Sequence, residues 1–230
     1  MSRAFFVTGT DTGVGKTYAL CALLYRIRKA GLPAVGLKPI AAGAEANGRN
    51  EDIEAIRAAN LVTIPQNPNT LPEAVLNSYL FSPPIAPHLA AGEENRPIHF
   101  APIVTAVTNA KAIAGETGVV LVEGVGGFRV PLGEEGDSAD LAVRLGLPMI
   151  LVVGMRLGCI NHALLTAEAI NRRGLPLAGW IANTPGDAMP YFAENVATLR
   201  QSLPAPLLGV LPVGLPGEPA GAAEYLSLPF

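Results

Sequence analysis

The chain reads as an α/β protein built on one doubly wound, mostly parallel sheet with helices on both faces. Three observations lead there. A short apolar run at 5–7 enters a loop holding Gly9, Gly13 and Gly15 and then a helix-forming stretch at 18–29. Further short apolar runs at 34–37, 119–123, 149–153, 177–182 and 206–211 alternate with stretches of helical periodicity, the pattern of parallel strands joined by helical crossovers. The run Val119-Val120-Leu121-Val122 is apolar at every position, which suits a strand covered on both faces. Ligands of such sheets bind at the carboxyl ends of the strands. No repeat or linker divides the 230 residues, so a single domain over 1–230 is expected, large enough to bury a core without staples.

The first strand delivers the segment FFVTGTDTGVGKT at 5–17. Strand, Gly-rich loop, Lys-Thr and helix form the phosphate loop of a nucleotide site. Glycines let the backbone turn tightly and aim N–H groups inward, and the helix start adds its positive dipole end. Gly13, Val14 and Gly15 supply the cradle, Lys16 reaches the terminal phosphates, and the Thr17 hydroxyl is placed for the accompanying Mg²⁺. The strict spacing would put the first glycine at Thr10, and it stands at Gly9 instead, so the loop is a variant. The helix at 18–29 carries Leu20, Leu23, Leu24 and Ile27 on one face and ends at Gly31 and Pro33.

A second strand at 34–37 delivers Lys38-Pro39 to the ligand edge of the sheet, where an ordinary surface lysine beside a turn is the plain alternative. Residues 41–50 read as a mobile loop, followed by a helix from about 50 to 59 with Asp52 in its first turn. A carboxylate there is favoured by the helix dipole and can also face a metal. The stretch 60–99 is proline-rich, with Asn67-Pro68 and Pro83-Pro84, and reads as irregular chain with short helices; His88 within it fits a packing or surface role. A helix is expected over 101–116, then the strand at 119–123 ending in Glu123, the best candidate for the acidic Mg²⁺ residue of a phosphate-loop enzyme. Gly124, Gly126 and Gly127 then let the chain pass close to bound phosphate.

A short helix at 140–145 precedes the strand at 149–153. The next helix starts after Arg156 and Leu157, at Gly158, Cys159, Ile160 and Asn161, where free N–H groups can receive an anion such as a carboxylate. Cys159 need not be a nucleophile, because no base is pinned beside it. The strand at 177–182 ends in Asn183, an amide suited to a purine edge; a helix at 188–202, a strand at 206–211 and a turn at 212–217 complete the order.

Composition narrows the function. The net charge of −3 and scattered basic residues give no electrostatic reason to expect nucleic acid. Two cysteines, Cys21 and Cys159, do not make a disulfide framework and fit a reducing compartment. The apolar runs fall far below spanning length, so no membrane partner and a cytoplasmic location are expected.

Taken together, VTGTDTGVGKT at 7–17, Lys38-Pro39, the 50–52 region, the Pro-His at 87–88, VEGVGG at 122–127, VGMRLGCINH at 153–162, GWIAN at 179–183 and PAPLLGVLP at 204–212 resemble the dethiobiotin synthetase family. The segments run in that family's order over nearly the whole chain, and the displaced glycine of the phosphate loop is the family's form. The resemblance implies ATP- and Mg²⁺-dependent joining of CO₂ to 7,8-diaminopelargonic acid (7,8-diaminononanoate), with closure of a ureido ring. It implies that Lys16 and Lys38 sit at the phosphates and the reacting carbamate, and that Thr17, Asp52 and Glu123 form the Mg²⁺ site. Thr12, Lys38, Ala42 and Gly126 would meet the diamine, and Asn183 and Pro212 the adenine. Gly158, Cys159, Ile160 and Asn161 would receive the substrate carboxylate from a partner subunit, so a homodimer is implied. Ala42 stands where some members have serine, Gly13 replaces an acidic residue found in some, and Phe128 takes a place where tryptophan can occur. These departures bear on substrate affinity, while every metal ligand and phosphate-binding lysine remains. The competing readings are a related ATP-dependent amidoligase, which would call for ammonia or a glutaminase partner, and a partitioning or regulatory ATPase. The latter often carries a further lysine early in the phosphate loop, where this chain has Asp11.

Overall fold

The computed structural model describes residues 3–63, 71–213 and 218–230. The chain runs β1 (Arg3–Gly9), α1 (Lys16–Lys29), β2 (Ala34–Leu37), β3 (Ile40–Ala42), α2 (Glu51–Thr63), α3 (Glu73–Leu76), β4 (Tyr79–Phe81), α4 (Pro87–Glu93) and α5 (Phe100–Ala114). It continues through β5 (Val119–Glu123), β6 (Pro131–Gly133), β7 (Gly136–Asp137), α6 (Ser138–Leu145), β8 (Met149–Gly154) and α7 (Cys159–Arg172). The last elements are β9 (Leu177–Asn183), α8 (Phe192–Ser202), β10 (Leu207–Leu211) and α9 (Pro219–Ala222).

Six strands form one parallel sheet in the order β10-β9-β8-β1-β5-β2. The doubly wound α/β arrangement expected from the alternating pattern is therefore the observed one. Alternation along β1 shows why both faces need cover. Phe5 and Val7 enter the core beneath α1, α2 and α9, whereas Ala4 and Phe6 enter the core beneath α5 and α6. At the β8–β9 end, Leu151, Val153 and the fully buried Trp180 pack under α7 and α8. With both faces covered, apolar residues suit β8 and every position of β5 before Glu123, and all residues of both strands are buried.

The order of the sheet sets the site. β1 lies between β8 and β5, and β5 lies between β1 and β2. The carboxyl ends of β1, β5 and β2 therefore stand side by side, each delivering a different functional group.

Several boundaries depart from the sequence reading. Residues 40–42 form β3, its last two residues lying in the stretch expected as a loop, and β3 pairs in parallel with β4 through Ile40 and Tyr79, Ala41 and Leu80, and Ala42 and Phe81. Three residues between Pro39 and Gly43 carry too little pattern to announce a strand whose partner lies some forty positions away. The stretch 60–99, expected as irregular chain with short helices, contains the short helices α3 and α4 and also the unexpected strand β4, while Asn67-Pro68 lies outside the described residues. A small antiparallel ribbon, β6–β7, was not expected at all. Helix α8 starts at Phe192 rather than 188, because Pro190 disfavours helical backbone at Met189 and Tyr191 adopts a left-handed φ of 54°. The turn expected at 212–217 is described only as far as 213. Among the described residues no helix is long and apolar enough to cross a membrane.

Helix α5 has no side-chain cap of its own at His99. The cap comes from the β6–β7 turn instead: Glu135 accepts the Phe100 N–H at 2.8 Å and pairs with His99 Nδ1 at 2.8 Å. The Phe100 N–H first, and His99 second, hold the Glu135 carboxyl below its usual range. A carboxylate with a lowered folded-state pKa contributes stability above its unfolded pKa and loses it as pH falls through the folded value. The melting-temperature difference between wild type and Glu135→Gln is therefore expected to be largest near neutral pH and to close under acid. A difference that does not change with pH would remove Glu135 as the cap.

Candidate active site

β1 ends at Gly9, and the loop that follows folds back over the start of α1. Gly15 is the residue before the helix and holds a left-handed φ of 82°. A side chain there is excluded twice, by that backbone and because a Cβ would lie 2.1 Å from Asn183 Nδ2. Helix α1 has no side-chain cap, so its first N–H groups remain available to an anion. Lys16 donates from Nζ to the Asp11 carbonyl at 3.0 Å, lying across the loop mouth. Burial holds its pKa below the usual lysine value, with Glu123 pulling it up and Lys38 pushing it further down.

The neighbouring strand ends bring three more groups to the same place. Lys38, immediately after β2, donates from Nζ to Glu123 Oε1 at 2.7 Å and also pairs with Asp52. Thr17 donates from Oγ1 to the same Glu123 oxygen at 2.9 Å. Lys38 and Glu123 are buried, with side-chain exposures of 7% and 0%, whereas Asp52 is half exposed. Burial pulls the Lys38 pKa down, and the Glu123 and Asp52 carboxylates together outweigh it, so the ammonium is held above its usual value. Burial pushes the Asp52 carboxyl up, and Lys38 more than reverses this.

Asp52 reaches the cluster because Asn50 fixes the start of α2. Asn50 Oδ1 accepts the Ile53 N–H at 3.3 Å, while its Nδ2 donates to the Gly43 carbonyl at 3.2 Å. One side chain thus caps the helix and anchors the end of the segment leaving β3.

One oxygen is left over. Glu123 Oε2 is buried and has no hydrogen-bond partner. A buried carboxylate oxygen is costly to leave unpaired, so this one marks a place for a cation or a donor. Thr17 Oγ1, Asp52 and Glu123 are all oxygen donors, the set that Mg²⁺ prefers. The residues fit that ion, with Lys38 supplying positive charge to the same carboxylates in this state.

These groups line a cleft of about 780 Å³. Thr12, Gly13, Gly15, Lys16, Thr17, Lys38, Ala42, Asp52, Glu123 and Gly126 all face it, so most of the residues singled out from the sequence come together here. Ala42 presents only a methyl group where a hydroxyl is possible. The opposite wall comes from 84–87, just before and at the start of α4, and from Val125 and Val130. Sequence reasoning assigned these wall residues no role. His88, next in line, is not part of the wall, and its Nδ1 is buried without a partner.

Other candidates lie elsewhere. Asn183 is at the end of β9, and its Nδ2 donates to the Val14 carbonyl at 2.8 Å, so the amide braces the phosphate loop from outside the cleft. Pro212 follows β10, whose Leu211 pairs with Asn183. Gly158, Cys159, Ile160 and Asn161 form the start of α7, where Gly158 has a φ of 96° and provides no side-chain cap. They do not line this chain's own cleft. Cys159 is buried, and burial raises its pKa. Cys21, under the loop, is pushed up to about 12, first by burial and then by Glu123. Both shifts run opposite to the lowered pKa of an activated thiol. Sequence reasoning also missed Arg156, which ion-pairs with Asp11 in the phosphate loop.

Residues 3–216 match the model of the AAA domain family. An ATP-dependent dethiobiotin synthetase BioD from Aromatoleum aromaticum is 52% identical over 230 residues, covering 99% of this chain and 98% of the relative. A second, from Ralstonia nicotianae, is 52% identical over 210 residues, covering 90% of this chain and 87% of the relative. Among solved structures, the MinD cell division protein of Aquifex aeolicus superposes with a TM-score of 0.50 at 14% identity, over 92% of this chain and 82% of that one. At that identity the likeness concerns the fold alone. The near-complete match at 52% identity is of another order, and with it the chain belongs to the ATP-dependent dethiobiotin synthetase family.

Proposed function

We propose that this protein joins CO₂ to 7,8-diaminopelargonic acid and closes the ureido ring of dethiobiotin, converting ATP to ADP and phosphate. The observation that carries this reading is the meeting of Lys16, Lys38, Thr17, Asp52 and Glu123 at the mouth of one cleft. Two lysines and an oxygen-donor cluster beside a phosphate loop suit transfer of a phosphoryl group to an anionic acceptor.

The reaction proceeds by one amine of the substrate capturing CO₂ as a carbamate, with loss of a proton. A carbamate oxygen attacks the γ-phosphorus of ATP and ADP departs, leaving a carbamic–phosphoric mixed anhydride. The second amine then attacks the carbonyl carbon, the ring closes and phosphate leaves. In this scheme the loop N–H groups and Lys16 hold the β- and γ-phosphates, and Lys38 faces the carbamate and the transferring group. Thr17, Asp52 and Glu123 would hold Mg²⁺, which when bound neutralises charge on the phosphate oxygens. Thr12, Ala42 and Gly126 are the proposed contacts of the diamine, and residues 84–87 line the same cleft. Both amines sit on one scaffold, so ring closure gains from positioning as much as from charge.

The start of α7, away from this chain's cleft, supports a homodimer in which it receives the carboxylate of the partner's substrate. The helix start at Gly158, Cys159, Ile160 and Asn161 has no side-chain cap and suits that anion, with the Cys159 N–H donating to the Arg156 carbonyl at 2.9 Å in this structure. Asn183 at the end of β9 and Pro212 just after β10 are the proposed contacts of the adenine.

The test mixes purified protein with ATP, Mg²⁺, labelled bicarbonate and 7,8-diaminopelargonic acid. Acid-stable label in a cyclic urea, formed in step with ADP, is the expected result. ADP release indifferent to the diamine, with no stable labelled product, would return the protein to the regulatory ATPases.

A further inference from the structure

Asp11 is the one acidic residue of the phosphate loop, next in the chain to Thr12, which lines the cleft. Its carboxylate is fully engaged. Oδ1 accepts the Thr12 N–H at 2.8 Å, and Oδ2 is paired with the Arg156 guanidinium. Its main-chain carbonyl accepts Lys16 Nζ at 3.0 Å. Asp11 therefore touches both the loop backbone and the phosphate-binding lysine, while Arg156 holds it from outside.

Arg156 comes from the segment between β8 and α7, and the end of β8 that leads into it is fastened to the loop at several points. Thr10 N–H donates to the Val152 carbonyl at 3.0 Å, and the Gly154 N–H donates to Thr10 Oγ1 at 3.2 Å. A Cβ at Gly154 would lie 2.6 Å from Val14 Cγ1, so glycine there lets the two chains touch. Met155 N–H donates to the Asn183 carbonyl at 2.7 Å, and Asn183 braces Val14. The backbone contacts fix the segment's position, and Arg156 is the point at which it meets the loop with charge.

We infer that Arg156 is a positioning residue for nucleotide binding: it neutralises and holds the Asp11 carboxylate, which would otherwise repel the incoming phosphates. This rests on the reading that the protein binds ATP. The pair is half exposed, so as a contribution to folding it is worth little. Its effect falls on a highly charged anion a short distance away. Removing Arg156 leaves an uncompensated negative charge at the loop mouth. Removing the Asp11 charge as well takes that repulsion away. The sign of the double substitution thus separates electrostatic positioning from simple loss of a structural contact.

The experiment measures Mg²⁺-ATP binding by calorimetry on the full chain, without the diamine, and then KM and kcat in the complete assay. Arg156→Ala is expected to weaken ATP binding about tenfold and raise the KM for ATP similarly, with kcat changed less than about twofold. Arg156→Lys keeps the charge and is expected to retain most of the affinity. Asp11→Asn combined with Arg156→Ala is expected to recover most of the affinity lost in Arg156→Ala. Unchanged ATP binding in Arg156→Ala would overturn the inference, and so would a double variant as weak as Arg156→Ala. Because binding is read without the diamine, a wild type that binds ATP but forms no cyclic urea rejects the proposed reaction and leaves this test intact.

Discussion

Replacing Lys38 by alanine is expected to lower turnover by about 10³-fold, the scale of losing a preorganised charge at the transferring group. The same substitution strips the buried Glu123 carboxylate of its closest positive partner. Breaking a buried pair from one side costs about 3–5 kcal/mol, because the remaining charge stays in a low-dielectric setting. The geometry adds a folding cost and links it to the metal. Mg²⁺ binding at Thr17, Asp52 and Glu123 would take up the charge that Lys38 no longer balances. The melting temperature of Lys38→Ala is therefore expected to fall without Mg²⁺ and to rise more on adding Mg²⁺ than that of wild type. Near-normal turnover would remove Lys38 from the mechanism, and a melting temperature insensitive to both changes would remove it as the counter-charge of Glu123.

Glu123→Gln attacks the same cluster from the other side. Turnover is expected to fall about 10²-fold or more, and the Mg²⁺ concentration for half-maximal rate to rise, since an anionic oxygen donor becomes a neutral amide. There is also a pH signature. Burial works to lower the Lys38 pKa, and Glu123 is the strongest influence opposing it. With that carboxylate neutralised, Asp52 alone opposes burial, so Lys38 gives up its proton at lower pH. The alkaline limb of the kcat profile should move to lower pH relative to wild type. A limb that stays in place would show that the ionisation of another group controls it.

What the sequence determined by itself is what short-range chemistry writes into a few adjacent residues. The phosphate loop was legible because strand, glycines, Lys16-Thr17 and helix lie within one short stretch, each with a local reason. β5 and its terminal Glu123 were legible because a run apolar at every position admits few structures other than a strand buried on both faces. The run from Met149 and the helix after Gly158 were legible in the same way. Only the tertiary structure decided how these pieces meet. That β5 lies between β1 and β2 brings Glu123 against both Thr17 and Lys38, residues 106 and 85 positions away in sequence. The β3–β4 pair, the Glu135 cap on α5 and the Arg156–Asp11 contact were invisible for the same reason: each joins groups far apart in sequence, and neither partner carries a local pattern. Asn183 illustrates the limit most clearly. Its amide was read as a group for the purine, and the structure adds a contact that the sequence did not announce: Nδ2 donates to the Val14 carbonyl, because the end of β9 packs against the phosphate loop. Local chemistry names the groups; strand order and packing decide which of them touch.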